Sequence, residues 1–402
     1  MSDMKQTLLA IGCLLVTGNA AATSAGEYMA RASDCVACHT AEGGQPMAGG
    51  KKFSTPVGDI YATNITPDKT SGIGNYSYED FEKAVRHGVA KDGHALYPAM
   101  PYPSYARMTE KDIHALYDYF MHEVPASPEK NKENDIPLLL SARWPLHVWN
   151  WLFVDEAKPE TPVIKDDNHK DLLSRGAYLV EGPGHCGACH TPRGVTMQEK
   201  GYDASSDVYL SGATIDGWYA PSLRNISMSQ DELKDLLRMG RSQHNAISGP
   251  MSEVVTQSTQ YLTESDLNAI SFYLLSFNRK ATAPVSPDGS IVYKPTDGKT
   301  LYSMYCSTCH GDDGKGKDFT VPSLANNALI TAKDPSSLIS VIYHGAETPQ
   351  TQGNISFKMP AYKEVMSENE LTNVVNYVRG NWGNGAPQAT TGDIKKASGA
   401  EK

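Results

Sequence analysis

One five-residue pattern, Cys-x-x-Cys-His, occurs three times in this chain of 402 residues. Two cysteines separated by two residues and followed directly by histidine are the attachment pattern of a c-type haem. The two thiols can each bond a vinyl group at one edge of the porphyrin, and the histidine then supplies an axial nitrogen to the iron. The pattern predicts three covalently bound haems c, attached at Cys35 and Cys38, Cys186 and Cys189, and Cys306 and Cys309, with the iron ligands His39, His190 and His310.

The remaining cysteine content supports this interpretation. Of the seven cysteines, only Cys13 lies outside the motifs, so no pair is left for a structural disulfide. A zinc site or a redox dithiol can contain a similar Cys-x-x-Cys. A zinc site would need another pair of cysteine or histidine ligands near each motif, and the sequence has none there. A redox dithiol does not require a histidine after the second cysteine in every copy.

Residues 1–22 have the pattern of a secretory signal peptide. A short charged start precedes an apolar stretch from Leu8 to Val16, and small residues follow. Cleavage is expected after Ala22 or Ala25 and would remove Cys13. The alternative is a lipid anchor on Cys13. The apolar stretch is too short to span a bilayer, so the pattern predicts an exported protein with no transmembrane helix in the mature chain.

The sequence around the motifs repeats as well. A glycine with a tyrosine close behind precedes each motif, and core packing is the simplest role for both residues. A helix with a Thr or Ser cap follows each motif, and an acid three residues after the cap completes a capping-box pattern. Apolar residues then recur at helical spacing. The pairs are Gly26/Tyr28, Gly176/Tyr178 and Gly298/Tyr302, and the caps are Thr109, Thr263 and Ser367, with the clearest capping box at Ser367/Glu370.

These repeats predict a mainly α chain of three tandem domains joined by irregular linkers. The domains are expected at 26–125, 170–280 and 290–383. The first linker, 126–170, contains an island of aromatic residues, and a disordered tail is expected at 384–402 because it has few apolar residues.

The second axial ligand decides whether a haem iron is open or closed. A methionine closes the iron and suits electron transfer, whereas an open position suits gas binding or peroxide chemistry. Met100, Met251 and Met359 are each expected in a proline-containing loop before the last helix of a repeat and are the predicted ligands. The alternative role for a methionine is core packing, which is expected for Met108, Met121, Met228, Met239 and Met366. His87 and His344 are expected to end helices rather than to bind iron.

The residues quoted so far resemble a known family. The stretches Ile60 to Asp68, Leu96 to Tyr102, Arg175 to Val180 and His185 to Arg193 match it, and the resemblance covers 26–383. The family is the three-haem cytochrome c subunit of bacterial membrane-bound dehydrogenases that oxidise sugars, sugar acids and alcohols. The resemblance implies three tandem domains similar to class I cytochromes c.

In class I cytochromes c, a loop containing proline offers a carbonyl to the ring of the proximal histidine. Ala220-Pro221-Ser222-Leu223 and Val321-Pro322-Ser323-Leu324 resemble that loop. The first repeat has Thr63-Asn64-Ile65 in the same place and lacks the proline, so the resemblance does not extend this role to it.

The family implies an electron-transfer subunit with no catalytic site of its own. Its partner would be an FAD-dependent gluconate or sugar dehydrogenase, or a quinoprotein alcohol dehydrogenase, possibly with a small third subunit. Electrons would pass to ubiquinone at the periplasmic face of the cytoplasmic membrane. Two alternatives remain: a cytochrome that serves a molybdenum-containing dehydrogenase of aldehydes or N-heterocycles, and a haem peroxidase with one open iron.

Charge and apolar patterning bear on other partners. The formal net charge of −10 and the lack of a basic cluster argue against nucleic acid. Several relatives end in an apolar helix, and this chain has none, so peripheral attachment to the membrane would come from a partner or a surface patch. The aromatic island could be that patch, or it could pack between domains. Its members are Trp144, Leu146, Val148, Trp149, Trp151, Leu152 and Phe153.

Overall fold

The computed structural model describes residues 23–55, 57–138, 141–154, 170–215, 217–278 and 295–399. The predicted signal peptide, including Cys13, lies outside these residues. So do 155–169 in the first linker and 279–294, the segment between the second and third repeats.

The first repeat is built from short helices around one hairpin. Its first and last helices, α1 and α5, pack against each other. Gly26 in α1 permits this contact, because a Cβ there would lie 2.1 Å from the carbonyl oxygen of Ala115 in α5. The elements are α1 Ala25–Ala32, α2 Cys35–Cys38, β1 Lys52–Thr55, β2 Gly58–Tyr61, α3 Tyr78–His87, α4 Tyr102–Tyr105 and α5 Glu110–His122.

The second repeat has the same order of elements. Helix α6, Trp144–Phe153, precedes it in the connector. Its first and last helices again cross at a glycine, since a Cβ on Gly176 would lie 2.1 Å from the Ala269 carbonyl oxygen. The elements are α7 Lys170–Glu181, α8 Gly187–His190, β3 Ala213–Ile215, β4 Trp218–Ala220, α9 Gln230–Met239, α10 Met251–Gln257 and α11 Glu264–Ser276.

In the third repeat the first helix packs against the helix that Ser367 caps, the counterpart of α5 and α11. The elements are α12 Pro295–Tyr305, α13 Ser307–His310, α14 Ala328–Thr331, α15 Ser336–His344, β5 Ala346–Glu347, β6 Lys358–Met359, α16 Glu368–Gly380 and α17 Thr391–Ser398. Each of the three β-hairpins is antiparallel and two-stranded. The prediction of a mainly α chain is therefore confirmed.

The predicted caps begin the last helix of each repeat. The side chains of Thr109, Thr263 and Ser367 accept a hydrogen bond from the backbone N–H three residues on. Only the Ser367 cap closes a full capping box with its acid, Glu370, among these three. The acids of the first two repeats have other partners, described below.

The buried apolar residues form two clusters rather than three. One cluster runs without a break through the first and second repeats, from Met29 in α1 to Leu274 in α11. The other belongs to the third repeat and includes Tyr302, Val375 and Ile394. The first two repeats thus share a core, and the third has a core of its own.

The predicted disordered tail is wrong for residues 384–399. Helix α17 packs against α15 and α16, and the side chain of Ile394 is 0% exposed. Arg379 in α16 holds the chain before α17 by donating to the Pro387 carbonyl at 2.8 Å. Low apolar content misled the prediction because the few apolar residues of this segment, among them Ala389 and Ile394, are buried against the third-repeat core.

The first part of the connector is also more ordered than a linker. Residues 127–135 are hydrogen-bonded to the first repeat, where Asp59 and Asp135 exchange two backbone hydrogen bonds of 3.0 and 2.8 Å. In the parts of the chain that the structure describes, no helix combines the length and the apolar character needed to cross a membrane.

Candidate haem-binding sites

Each Cys-x-x-Cys-His motif folds into one turn of helix. The N–H of the motif histidine donates to the carbonyl of the first cysteine at 2.9 Å in the first repeat and 3.0 Å in the other two. This bond places the first cysteine and the histidine on one face of the turn, as residues four apart on a helix are. None of the six motif cysteines forms a disulfide.

Burial disfavours the thiolate form of the first cysteine in each motif. It raises the pKa of Cys35 and of Cys186 to about 12 and that of Cys306 to about 11. A redox dithiol needs the opposite, because its attacking cysteine has a lowered pKa. Among the described residues, no group of three or more His, Cys, Asp or Glu could hold a metal ion by itself. The raised thiol pKa values weigh against the dithiol alternative.

The three motif histidines are held in the same tautomer. Nδ1 of His39 lies 2.7 Å from the Thr63 carbonyl oxygen, and His190 and His310 make the same contact with Pro221 at 2.7 Å and Pro322 at 3.2 Å. Since a carbonyl can only accept, Nδ1 carries the proton and Nε2 keeps its lone pair. Burial also lowers the pKa of each ring, which favours the neutral form that binds iron. The carbonyl role predicted for the two proline loops is confirmed.

The first repeat achieves the same contact without proline. Asn64 follows Thr63 and is 1% exposed. Its side-chain NH2 donates to the Ser127 and Glu129 carbonyls, at 2.9 and 2.8 Å, and its backbone N–H donates to Asn131 Oδ1 at 2.6 Å. The connector therefore holds the Thr63 carbonyl in place where the other repeats use a rigid proline. Sequence inspection missed Asn64 because its partners are more than sixty residues away.

The predicted methionine ligands occupy three different local structures. Met100 lies in the loop before α4, Met251 is the first residue of α10, and Met359 lies in β6. Met100 and Met251 are partly buried against the shared core, and Met359 against the core of the third repeat. The expectation of a loop therefore holds only for Met100. His87 and His344 are the last residues of α3 and α15, as predicted.

The first two motifs lie against each other. Tyr105 donates to the Ser33 carbonyl at 2.7 Å, and its ring is 5.6 Å from that of His185. Lys51 donates to the carbonyl of Ala37 inside the first motif and forms an ion pair with Glu253, two residues after Met251. One cation thus contacts both the first attachment motif and the helix that begins with a predicted ligand of the second haem.

Two tyrosines form reciprocal hydrogen bonds across the contact between the first and second repeats, which we call the seam. Tyr28 of the first repeat donates to Asp266 at 2.5 Å and accepts from the Thr263 N–H at 3.2 Å. Tyr178 of the second repeat donates to Asp112 at 2.5 Å and accepts from the Thr109 N–H at 3.3 Å. Equivalent residues thus contact each other in both directions, as in a two-fold symmetric dimer. Core packing was the expected role, and it holds for Tyr302 but is incomplete for these two tyrosines.

A buried ion-pair cluster adds to the seam. Arg107 of the first repeat lies 2.9 Å from Asp203 and 3.8 Å from Glu181, both in the second repeat. Tyr273 donates a hydrogen bond to Glu181. Despite these partners, burial raises the pKa of Glu181 to about 7.

The residues present fit a covalently attached haem c. Two thiols and a neutral histidine share each motif turn, and the free Nε2 of that histidine is available to iron. A bound haem c supplies a centre that gains and loses one electron. The chain's own residues fix the histidine ring and its tautomer through the carbonyls of Thr63, Pro221 and Pro322.

Comparison with known proteins agrees with this chemistry. The family model for cytochrome c matches residues 24–122 and 295–382. The chain is 47% identical to the gluconate 2-dehydrogenase cytochrome c subunit of Pantoea cypripedii, over 93% of this chain and 88% of that protein.

Two further relatives belong to other dehydrogenases. The cytochrome c subunit of the quinone alcohol dehydrogenase of Gluconacetobacter polyoxogenes is 45% identical, over 92% of this chain and 83% of that protein. The fructose dehydrogenase cytochrome subunit of Gluconobacter japonicus is 37% identical, over 94% of this chain and 83% of that protein. On these motifs and similarities, the chain belongs to the family of cytochrome c subunits that carry electrons for dehydrogenase complexes.

Proposed function

We propose that this protein is an exported three-haem cytochrome c that takes electrons from a partner dehydrogenase and passes them to ubiquinone. The main support is that the same arrangement is built three times. Each motif has the Cys–His turn and a histidine held by a carbonyl, although the three supporting segments differ in sequence. The axial ligands are His39, His190 and His310 on one side and Met100, Met251 and Met359 on the other.

The proposed partner is an FAD-dependent gluconate or sugar dehydrogenase subunit. The 47% identity to a gluconate 2-dehydrogenase cytochrome subunit favours this choice. A quinoprotein alcohol dehydrogenase is the second candidate, because the 45% identity to its cytochrome subunit is nearly as high. Purifying the untagged complex and identifying its cofactor separates them: flavin supports the first, a quinone cofactor the second, and molybdopterin would contradict both.

Haem number is tested on the exported full chain. Intact mass should show three added haems, and the reduced spectrum should show only low-spin bands. Fewer than three haems would contradict the proposal. Carbon monoxide should not bind the reduced protein at neutral pH, because methionine closes each iron; binding would favour the peroxidase alternative.

The methionine ligands are tested one at a time. Met100→Leu, Met251→Leu and Met359→Leu should each open one iron to carbon monoxide and lower one midpoint potential. Matched controls are Met108→Leu, Met228→Leu and Met366→Leu, which change a predicted core methionine in the same repeat and should leave all irons closed. A ligand variant that behaves like its control would remove that methionine from the proposed set.

Peripheral membrane contact is proposed for one face of α6. Trp144 is 71% and Trp151 80% exposed, and Val148 and Leu152 are exposed on the same side. Trp149 differs, since it is buried and its Nε1–H donates to the Thr196 carbonyl of the second repeat at 2.9 Å. The packing interpretation of the aromatic island thus fits Trp149, and the surface interpretation fits the exposed face.

This contact is tested with vesicles of phosphatidylethanolamine and phosphatidylglycerol. Trp144→Ser with Trp151→Ser should reduce the fraction of folded protein that sediments with the vesicles. The control is Met304→Ser with Ile355→Ser, which removes exposed apolar side chains from the third repeat. Equal loss in both variants, or none in either, would contradict the role of α6.

A further inference from the structure

A cavity of about 360 Å³ opens beside the first repeat. Thr63 lines it from the segment whose carbonyl holds His39, and Tyr97 lines it from the loop that leads to Met100. Both segments that present the axial ligands of the first haem therefore contribute to its wall. Neither cysteine of the first motif lines the cavity.

The rest of the wall comes from the connector. Lys132, Asn134 and Arg143 line the cavity, and we call these three residues the connector cradle. Glu133 is the acid among the lining residues, so the two cations leave a net positive charge there. Ammonium, guanidinium and amide N–H groups are the donors that bind carboxylates.

The cradle residues are held in place by the first repeat. Arg143 donates to the Ala95 carbonyl at 3.0 Å, and its guanidinium lies 3.9 Å from the centre of the Tyr97 ring. The hydrogen bond to Ala95 uses only one of the five N–H groups of the Arg143 guanidinium. Asn134 accepts from the Tyr61 N–H through Oδ1 at 2.8 Å, so its NH2 group is not used by that bond.

Lys132 is aligned less tightly. Its Nζ lies 5.5 Å from the centre of the Tyr61 ring. Its neighbour Asn131 accepts from the Asn64 N–H, so the backbone next to Lys132 is fixed to the segment behind His39. The connector thus contributes two cations to the wall of the cavity.

A haem c has two chemically distinct edges. One edge forms the thioether bonds to cysteine, and another carries two propionate carboxylates. A cavity that touches both ligand-bearing segments, excludes the cysteines and presents two cations matches the carboxylate edge.

We infer that the connector cradle binds the propionates of the first haem and raises its reduction potential. The inference rests on the proposed haem at Cys35 and Cys38. A cation that neutralises a propionate disfavours the more positive ferric state and so favours reduction. The connector is then part of one haem site rather than a spacer between domains.

The test compares charge-removing variants of the full haem-loaded chain by spectroelectrochemical titration. Lys132→Met with Arg143→Met should keep three haems and lower a single midpoint potential. We expect about a tenfold change in the reduction equilibrium, which is ~59 mV for a one-electron couple. Arg143→Lys keeps the charge and should recover most of the potential lost in Arg143→Met.

The matched control is Lys91→Met. Lys91 belongs to the same repeat and also lies near a tyrosine ring, 5.9 Å from the centre of Tyr76, but it does not line the cavity. Unchanged midpoints in the double variant, or the same shift in the control, would overturn the inference. If the double variant loses a haem, Lys132→Met and Arg143→Met are titrated separately. A lowered single midpoint potential then supports the inference, and unchanged midpoints overturn it. A wild-type chain with fewer than three haems would instead contradict the proposed function.

Discussion

The first two repeats and the third repeat are stabilised in different ways. The first two share one apolar core, and Tyr28 and Tyr178 each donate a hydrogen bond to the other repeat across the seam. The third has its own core, closed by α17, and the position that matches Tyr28 and Tyr178 in spacing after the glycine is Thr300. The acids that follow the helix caps show the same difference. Glu370 completes its own capping box, whereas Asp112 and Asp266 each accept a hydrogen bond from the tyrosine of the other repeat. The same repeat can thus serve either as half of a pair or as an independent unit.

Hydrogen bonds connect the third repeat to the second. The Ser323 N–H donates to the His244 carbonyl at 2.7 Å, and the Tyr219 N–H donates to Ser337 Oγ at 2.7 Å. Both contacts lie next to the loops whose prolines hold His310 and His190. Hydrogen bonds between such segments orient two units without merging their cores. We therefore expect the pair and the third repeat to unfold as separate cooperative units.

The largest expected difference is in the response to pH. Burial raises the pKa of Asp34 to about 8 and those of Glu181 and Glu199 to about 7, all three in the first two repeats. The buried histidines of the pair, whose pKa values burial lowers, are already neutral above about pH 7. Between about pH 7 and 8 the native pair therefore binds more protons than the unfolded chain through these three carboxyls, so its stability should fall as pH rises through that window. One pKa unit corresponds to about 1.4 kcal/mol.

In the third repeat, the carboxyls with shifted pKa values move the other way. The pKa values of Asp313, Asp334 and Glu370 are lowered, first by hydrogen bonds for the exposed Asp313 and Glu370. Their contribution is lost only below about pH 4, and the pKa of His310 is lowered, so the third repeat should change little between pH 7 and 8. Hydrogen exchange at pH 7 and 8 measures both units. Parallel changes would contradict the comparison, and Glu181→Gln should flatten the response of the pair alone.

The next largest effect is expected from Ile394→Ala. Ile394 is fully buried in α17, so the change should lower the free energy of unfolding by about 3 kcal/mol, a value typical of a buried Ile→Ala change. Only the calorimetric transition of the third repeat should move. Lys396→Ala, on the exposed side of the same helix, is the control. A matching shift in the transition of the pair would mean that the two cores unfold together.

A smaller effect is expected from Asn64→Ala. The change removes hydrogen bonds to the Ser127 and Glu129 carbonyls and should destabilise the pair by about 2 kcal/mol. It should also loosen the Thr63 carbonyl and broaden the spectrum of one haem, whereas the other two keep theirs. Asn75→Ala removes an exposed amide with one bond, to the Lys69 carbonyl, and should have little effect. If Asn64→Ala leaves the spectrum unchanged, the connector does not support His39.

The smallest change in stability is expected on removing the hydroxyl groups of Tyr28 and Tyr178. Tyr28→Phe and Tyr178→Phe each remove a hydrogen bond donated to a carboxylate and one accepted from a threonine N–H, and each should cost about 1.5 kcal/mol. The two costs should be similar, because the contacts are equivalent. Tyr362→Phe removes a bond within the third repeat, to the Tyr305 carbonyl, and should leave the pair unchanged. Unequal costs measured by urea unfolding would show that the seam is not symmetric in energy.

Local patterns predicted the parts of the site that are close in sequence. The Cys–His turn, the helix caps and the proline loops each depend on residues a few positions apart, and spacing reveals such residues. Asn64, Arg107 and the two tyrosines of the seam act on partners far along the chain, and nothing local marks them. The disordered tail was wrong for a similar reason, since composition does not reveal that Ile394 meets an apolar surface made by other helices.

The amino-acid sequence alone determined the chemistry of this protein: three attachment motifs, their histidines and the repeated helices around them. Attachment depends on short-range geometry that one turn of helix provides, so it can be recognised without a fold. Only the tertiary structure decided how the repeats associate and that the connector is hydrogen-bonded to the segment that holds the His39 ring. Those properties arise where distant side chains become buried together, and burial is a property of the folded chain.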